Sequence, residues 1–215
     1  MNAQTVALLR EAAEWRLIGM LFERPGEGWQ AQVTKLAAEI SDSSLKSVAE
    51  AAREEAAASL YDTTFGPGGP AAPREVSYHG TILPGQLMGE IGAFYQAFAY
   101  EPSAPEAPDH VAVEAGFIAY LRLKQAYALE RGDDVQAAVT AEAARRFIDD
   151  HVNHIAEPLA KSLAACGIRY LGLTADALLH RAGPRQSPPD LDEAAATATA
   201  NRCSAQAGCS CAVKE

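Results

Sequence analysis

Apolar residues in this chain step by three and four and never alternate, a rhythm that leaves helices as the regular element available to it. Val6, Leu9, Ala13, Leu17 and Leu21 stripe one face of a helix over about 3–22. Pro25-Gly26 breaks it, and Trp29, Val33, Leu36 and Ile40 stripe the next. The serines at Ser41–Ser44 cap a third helix running through about Leu60. Leu87, Ile91, Phe94 and Phe98 mark a fourth after Pro84, and Val111, Ala115, Ile118 and Leu121 mark one from Asp109 to about Arg131. Gly132-Asp133-Asp134 turns the chain into a helix over about 134–147. Its apolar face continues through Ile148, Val152, Ile155, Leu159 and Leu163 to Gly167. A short helix over about 174–182 ends at Gly183-Pro184. The expected fold class is all-α, a single-domain helical bundle over 1–184. Residues 185–215, rich in Ala, Thr, Ser, Pro and Gly, are expected to be a disordered C-terminal tail.

Two segments between helices stand apart. Phe65-Gly66-Pro67-Gly68-Gly69-Pro70-Ala71-Ala72-Pro73 packs three prolines and three glycines into nine positions, which no helix interior accepts. Long loops inside compact domains are usually functional, and Phe65 and Tyr78 bracket this one as if to pin it at both ends. The second is Pro108-Asp109-His110-Val111-Ala112-Val113-Glu114. Pro108 sets an extended entry, and Asp109 is placed to cap the first turn. On this reading Asp109, His110 and Glu114 emerge at the mouth of a helical core, as groups for recognition.

Charge narrows the partners. With a formal net charge of -10 and no basic stripe, the chain is unsuited to nucleic acid, and a cationic peptide is the natural complement. Charged residues interrupt the first 24 positions, so no secretory signal is read, and no run of apolar residues is long enough to span a membrane. Cys203, Cys209 and Cys211 crowd into the tail instead of forming a distributed disulfide framework, and the expected location is cytoplasmic. Cys166, at a helix end, reads as a small core residue. Phe94, Tyr95, Phe98 and Tyr100 read as core before groove. The glycines after Phe65 lack the Lys-Ser/Thr of a phosphate loop. No nucleophile-base pair, catalytic carboxylate pair or cofactor fingerprint is found, so neither catalysis nor a cofactor is expected.

Three blocks resemble the TorD/DmsD/NarJ-like family of molybdoenzyme maturation chaperones. They are Leu60-Tyr61-Asp62-Thr63-Thr64-Phe65-Gly66-Pro67-Gly68, Pro108-Asp109-His110 with Glu114 and Phe117, and Phe147-Ile148-Asp149-Asp150-His151. Two departures go with them. Arg74-Glu75-Val76-Ser77 stands where the family often has Tyr-Glu-Ser, and Ile155 stands where many members carry tryptophan. The resemblance implies a helical chaperone that binds the N-terminal leader, a twin-arginine signal or a related one, of a molybdopterin oxidoreductase catalytic subunit. It would hold that subunit for cofactor insertion and then export or assembly.

The leader-binding residues so implied are Phe65, Pro73, Ser77, Asp109, His110, Glu114, Phe117 and His151. The leader's arginines are expected at Asp109 or Glu114, and its apolar stretch against Phe65 and Phe117. Two other functions compete: a helical metal or redox protein using His151, His154 and the tail cysteines, and a passive helical adaptor. His151 is otherwise expected to pack near Phe147 and hydrogen-bond between helices. Whether the chain is a monomer or a domain-swapped dimer stays open.

Overall fold

The first helix, α1 (Ala3–Leu21), opens on Asn2, whose side-chain oxygen accepts the Thr5 N–H at 2.7 Å. Over its second half Trp15 and Leu17–Leu21 are all buried, so this stretch is enclosed on every side. The computed structural model, which describes residues 2–80 and 82–183, lays α1 against α6 (Val111–Glu130) as its most extensive helix pair. Gly19 sits at their crossing, where a Cβ would stand 2.9 Å from the Ala112 carbonyl oxygen. Close approach of the two backbones therefore requires glycine there.

The remaining helices wrap this pair. Those against α1 are α2 (Trp29–Glu39), α3 (Ser43–Glu55) and α9 (Arg169–Ala182), while α7 (Asp134–Phe147) packs on α6 and α8 (Asn153–Cys166) on α9. Between α3 and α7 in sequence come α4 (Ala58–Phe65) and α5 (Pro84–Ala97). α5 inserts Leu87, Ile91 and Tyr95, the last against Phe117 and Phe147. Arg181 of α9 binds Glu14 at 3.0 Å and Asp42 at 2.6 Å, tying α9 to α1 and to the cap of α3. Trp29 donates its indole N–H to the Met20 carbonyl at 2.9 Å and fixes the turn between α1 and α2.

The described residues form a helical bundle without strands, as the apolar rhythm implied; a lone antiparallel bridge joins Arg74 and His110. Four boundaries differ from expectation. The helix expected to run through Leu60 stops at Glu55 and restarts as α4, with Ala56 and Ala57 extended. That break turns Tyr61 and Phe65 inward and frees Glu55 to accept the Tyr170 N–H at 3.1 Å. The loop is shorter than its composition suggests, since α4 reaches Phe65 and Glu75–Tyr78 form a 3-10 turn. The apolar face after α7 passes through one wide π turn, Ile148–Val152, which aims His151 and Val152 into the core. Finally, α9 begins at Arg169, because Tyr170 and Leu171 are core residues despite the nearby Gly172.

Phe94, Tyr95, Phe98 and Tyr100 belong to a continuous aromatic cluster around Phe117. Cys166 is only partly buried and donates its thiol to the Ser162 carbonyl at 3.1 Å. The expected tail and its three cysteines lie outside the described residues. Among those described, no helix is long and apolar enough to cross a membrane.

Candidate functional site

The Gly-Pro loop leaves α4 through a turn that needs its glycines. A Cβ on Gly66 would collide with the Asp62 carbonyl, one on Gly69 with the Thr64 carbonyl, and Gly68 holds a φ of 80°. The loop then runs beside the start of α6. The Val111 N–H reaches the Pro73 carbonyl at 2.9 Å and the Glu75 N–H reaches the Asp109 carbonyl at 2.8 Å. Tyr78 closes the far end by donating to the Ala72 carbonyl at 2.7 Å. Phe65 anchors the near end, edge-on to Tyr61 and Phe22. The loop is therefore pinned at both ends.

Between this loop, α4 and the segment before α6 lies a cleft of about 680 Å³. Phe65, Pro73, Ser77 and His110 all line it, so half of the expected site residues converge. The other four stand behind its wall. Asp109, Glu114 and Phe117 are 0% exposed and His151 is 2% exposed. Asp109 and Glu114 thus do not emerge at a mouth, and His110 is buried behind its one cleft-facing edge. The first turns of α6 are enclosed on all sides, so acids that would be solvated on an ordinary helix are interior here.

Each buried group has a reason to be there. Asp109 does not cap α6; its carboxylate is taken by the Arg74 guanidinium at 2.7 Å and by the Val76 N–H at 3.3 Å. His110 is the cap, its Nδ1 accepting the Ala112 N–H at 3.1 Å. The proton must then sit on Nε2, which faces the Tyr61 hydroxyl at 3.1 Å, and Tyr61 in turn reaches Glu106 at 3.4 Å. Burial, with the Arg74 charge nearby, pushes His110 down to about 4, which keeps it neutral. Burial likewise raises Tyr61, reinforced by Glu106.

Deeper in, Glu75 is the hub of a polar network. One oxygen meets His79 Nε2 at 2.6 Å and the other meets His151 Nδ1 at 3.1 Å. Burial alone would raise the Glu75 carboxyl, but these two histidines outweigh it and hold the group below the usual carboxylate range. Glu114 lies against it with no donor facing either oxygen. Burial first, then the charges of Glu75 and Asp109, push Glu114 well above the usual range, so it keeps its proton and gives Glu75 a hydrogen bond. His151 also packs against Phe147, as expected, with ring centroids 4.8 Å apart. His154 stacks on His79 at 4.5 Å, and among the described residues no group of three or more His, Cys, Asp or Glu is arranged to hold a metal ion.

Acids that do face solvent were missed by sequence reasoning. Asp62 and Glu106 line the cleft, and Arg74 lines it with its side chain 44% exposed. The available signals were faint: Glu106 lies between two prolines, and Asp62 follows a tyrosine on α4. Across the short segment Ser103–Ala107 from this cleft runs a second, mostly apolar groove of about 350 Å³. Its walls are Leu9, Ala13, Leu36, Tyr120 and Leu123, with Ser103 and Ala104 on the shared ridge. Chemically, the pair of cavities offers carboxylates and a guanidinium in one, and apolar surface with the paired Arg16 and Glu23 in the other.

No individual curated protein matches the chain. A family model does, that of the nitrate reductase delta subunit, and it covers residues 24–160, from the end of α1 through most of α8. The matched span includes every residue lining the cleft except Ser162, and the buried network behind it. The chain therefore belongs to the nitrate reductase delta subunit family, within the TorD/DmsD/NarJ-like chaperones of molybdoenzyme maturation.

Proposed function

We propose that this protein is a cytoplasmic, system-specific chaperone that binds the N-terminal leader of a molybdopterin oxidoreductase catalytic subunit. It holds that subunit until its cofactor is inserted and then releases it for export or assembly. The leader is a twin-arginine signal or a related sequence, with guanidinium groups followed by an apolar stretch.

The observation that carries this reading is that one short segment serves both a carboxylate-lined cleft and a mostly apolar groove, Ser103 and Ala104 lining the groove and Glu106 and Ala107 the cleft. A peptide that is cationic at one end and apolar at the other fits such a surface in one direction only. Phe65, Pro73, Ser77 and His110 are the expected residues placed to touch it. In this proposal Asp109, Glu114, Phe117 and His151 act by holding the wall, and Asp62 and Glu106 take over the role first expected of Asp109 and Glu114.

Titration of the full chain with a synthetic twin-arginine leader tests this directly. Replacing both leader arginines by glutamine is expected to weaken binding by about tenfold or more, as for charge-assisted hydrogen bonds partly shielded from solvent. Raising the salt concentration is expected to weaken the arginine peptide and leave the glutamine peptide nearly unchanged. Equal affinity of the two peptides at low salt would remove leader recognition through its arginines.

A further inference from the structure

One arginine already holds a carboxylate that lines the cleft. Arg24 Nε donates to Asp62 Oδ1 at 2.8 Å and Arg24 Nη2 donates to Asp62 Oδ2 at 2.7 Å, a two-pronged pair across 38 residues of chain. Resting on the leader-binding reading above, we propose that Arg24 is an in-chain stand-in for a client arginine: it occupies the guanidinium site at Asp62 and must be displaced when a cationic leader binds.

Local structure supports the exchange. Arg24 follows the end of α1 and precedes Pro25, which biases it to extended backbone, so its side chain leaves the helix and crosses to α4. Asp62 is held in place independently of Arg24, because α4 is anchored by buried Tyr61 and Phe65, and the Asp62 carbonyl accepts the Gly66 N–H at 3.0 Å. The parallel fork on one carboxylate is the geometry that any arginine would adopt there. Arg24 and Asp62 are 51% and 52% exposed, so the pair is solvent-screened and weak enough to open.

A second acceptor waits beside it. Glu106 lines the same cleft, where Oε1 accepts from Tyr61 at 3.4 Å, and its charge adds in a minor way to the hold of Asp62 on the Arg24 guanidinium. Two carboxylates at one edge, one of them covered by a native guanidinium, suit a ligand with two adjacent guanidiniums. A single stray cation would gain little by trading places with Arg24. A leader that also reaches Glu106 and the apolar groove has further contacts to offset the exchange, so the covered acid acts as a threshold against weak partners.

The test compares wild type, Arg24→Gln, Asp62→Asn and the double variant, all as the full chain at low salt. Leader affinity is measured by calorimetry, and a blocked Arg-Arg dipeptide is titrated while backbone amide shifts around Asp62–Gly68 are followed by NMR. Arg24→Gln is expected to tighten the leader by about two- to fivefold, the range of an exposed ion pair. Asp62→Asn is expected to weaken it and to abolish the gain in the double variant. Unchanged or weaker leader binding by Arg24→Gln would overturn the stand-in, while leader recognition itself would survive. If neither protein binds leader but the dipeptide perturbs the Asp62 amides more in Arg24→Gln, the leader reading falls and the covered guanidinium site stands. Dipeptide shifts that are the same in both proteins would remove the site.

Discussion

His110 Nε2 lies 3.1 Å from the hydroxyl of Tyr61, 49 residues earlier, and through this contact the middle of α4 and the start of α6 hold one another. The same imidazole caps α6 through Nδ1, so both of its nitrogens are committed while the ring is neutral.

That commitment makes the fold sensitive to acid. His110 titrates near 4 in the folded chain against an ordinary value of 6.5, so between those limits the unfolded chain binds a proton that the folded chain refuses. Stability is therefore expected to fall as pH drops from about 6.5 to about 4, by on the order of 2–3 kcal/mol from this group. His110→Asn keeps a capping side chain and cannot titrate. Urea melts across this range should show a shallower pH slope for the variant; an unchanged slope would assign the acid sensitivity elsewhere.

Glu114 is expected to behave in the opposite sense. Its folded carboxyl binds a proton more tightly than the unfolded one, so its contribution is present in acid and is lost as pH rises through the raised folded value. Glu114→Gln keeps the shape, supplies an N–H to Glu75 and removes the titration. The variant should match wild type near pH 4.5 and melt higher at pH 8, by about 3 °C or more. A variant that is less stable at pH 8 would show that Glu114 is not the proton carrier of this pair.

Arg74 bears on stability as well as on the cleft. Arg74→Met keeps the apolar stem but strands the fully buried Asp109 carboxylate, now held only by the Val76 N–H. A loss of about 1–3 kcal/mol is expected, below the cost for a wholly buried pair because Arg74 is half-exposed. Denaturant titration at neutral pH measures it.

Gly19→Ala probes the central crossing. The added methyl would meet backbone, at the Ala112 carbonyl, which cannot rotate away. Separation of α1 from α6 should cost about 1–3 kcal/mol. At Gly116 the nearest atom is the Tyr100 hydroxyl, the end of a movable side chain, so Gly116→Ala should cost less. Thermal melts of the two variants side by side test the contrast.

Helical content was legible because the apolar stripes of α2 and α8 carry their own period, and because apolar residues recur at three and four even in α1 and α6, which bury several faces. The break at Ala56-Ala57 was not, since nothing in an alanine-rich run marks it and what it serves, the inward turn of Tyr61 and Phe65 and the Glu55 bond to the distant Tyr170 N–H, is set by tertiary packing. The cap of α6 was ambiguous by one residue for a similar reason. Asp109 is the better capping type, but Arg74, 35 residues away, takes its carboxylate and leaves the cap to His110. The loop and the His110 edge of the cleft could be read from Gly, Pro and His in sequence. The inward placement of Glu114 could not, because the all-round burial of the first turns of α6 depends on elements that precede and follow it in the chain.

Glu75 joins His79 and His151 through its two oxygens and couples Glu114 to them by charge. Glu75 cannot be exchanged for an apolar residue by itself without stranding His151 in the interior. Descent through this set should therefore proceed by concerted replacement: related sequences should carry the four together or a wholly apolar alternative, with few intermediates. The same coupling would make these positions poor sites for random mutagenesis and good markers of common ancestry.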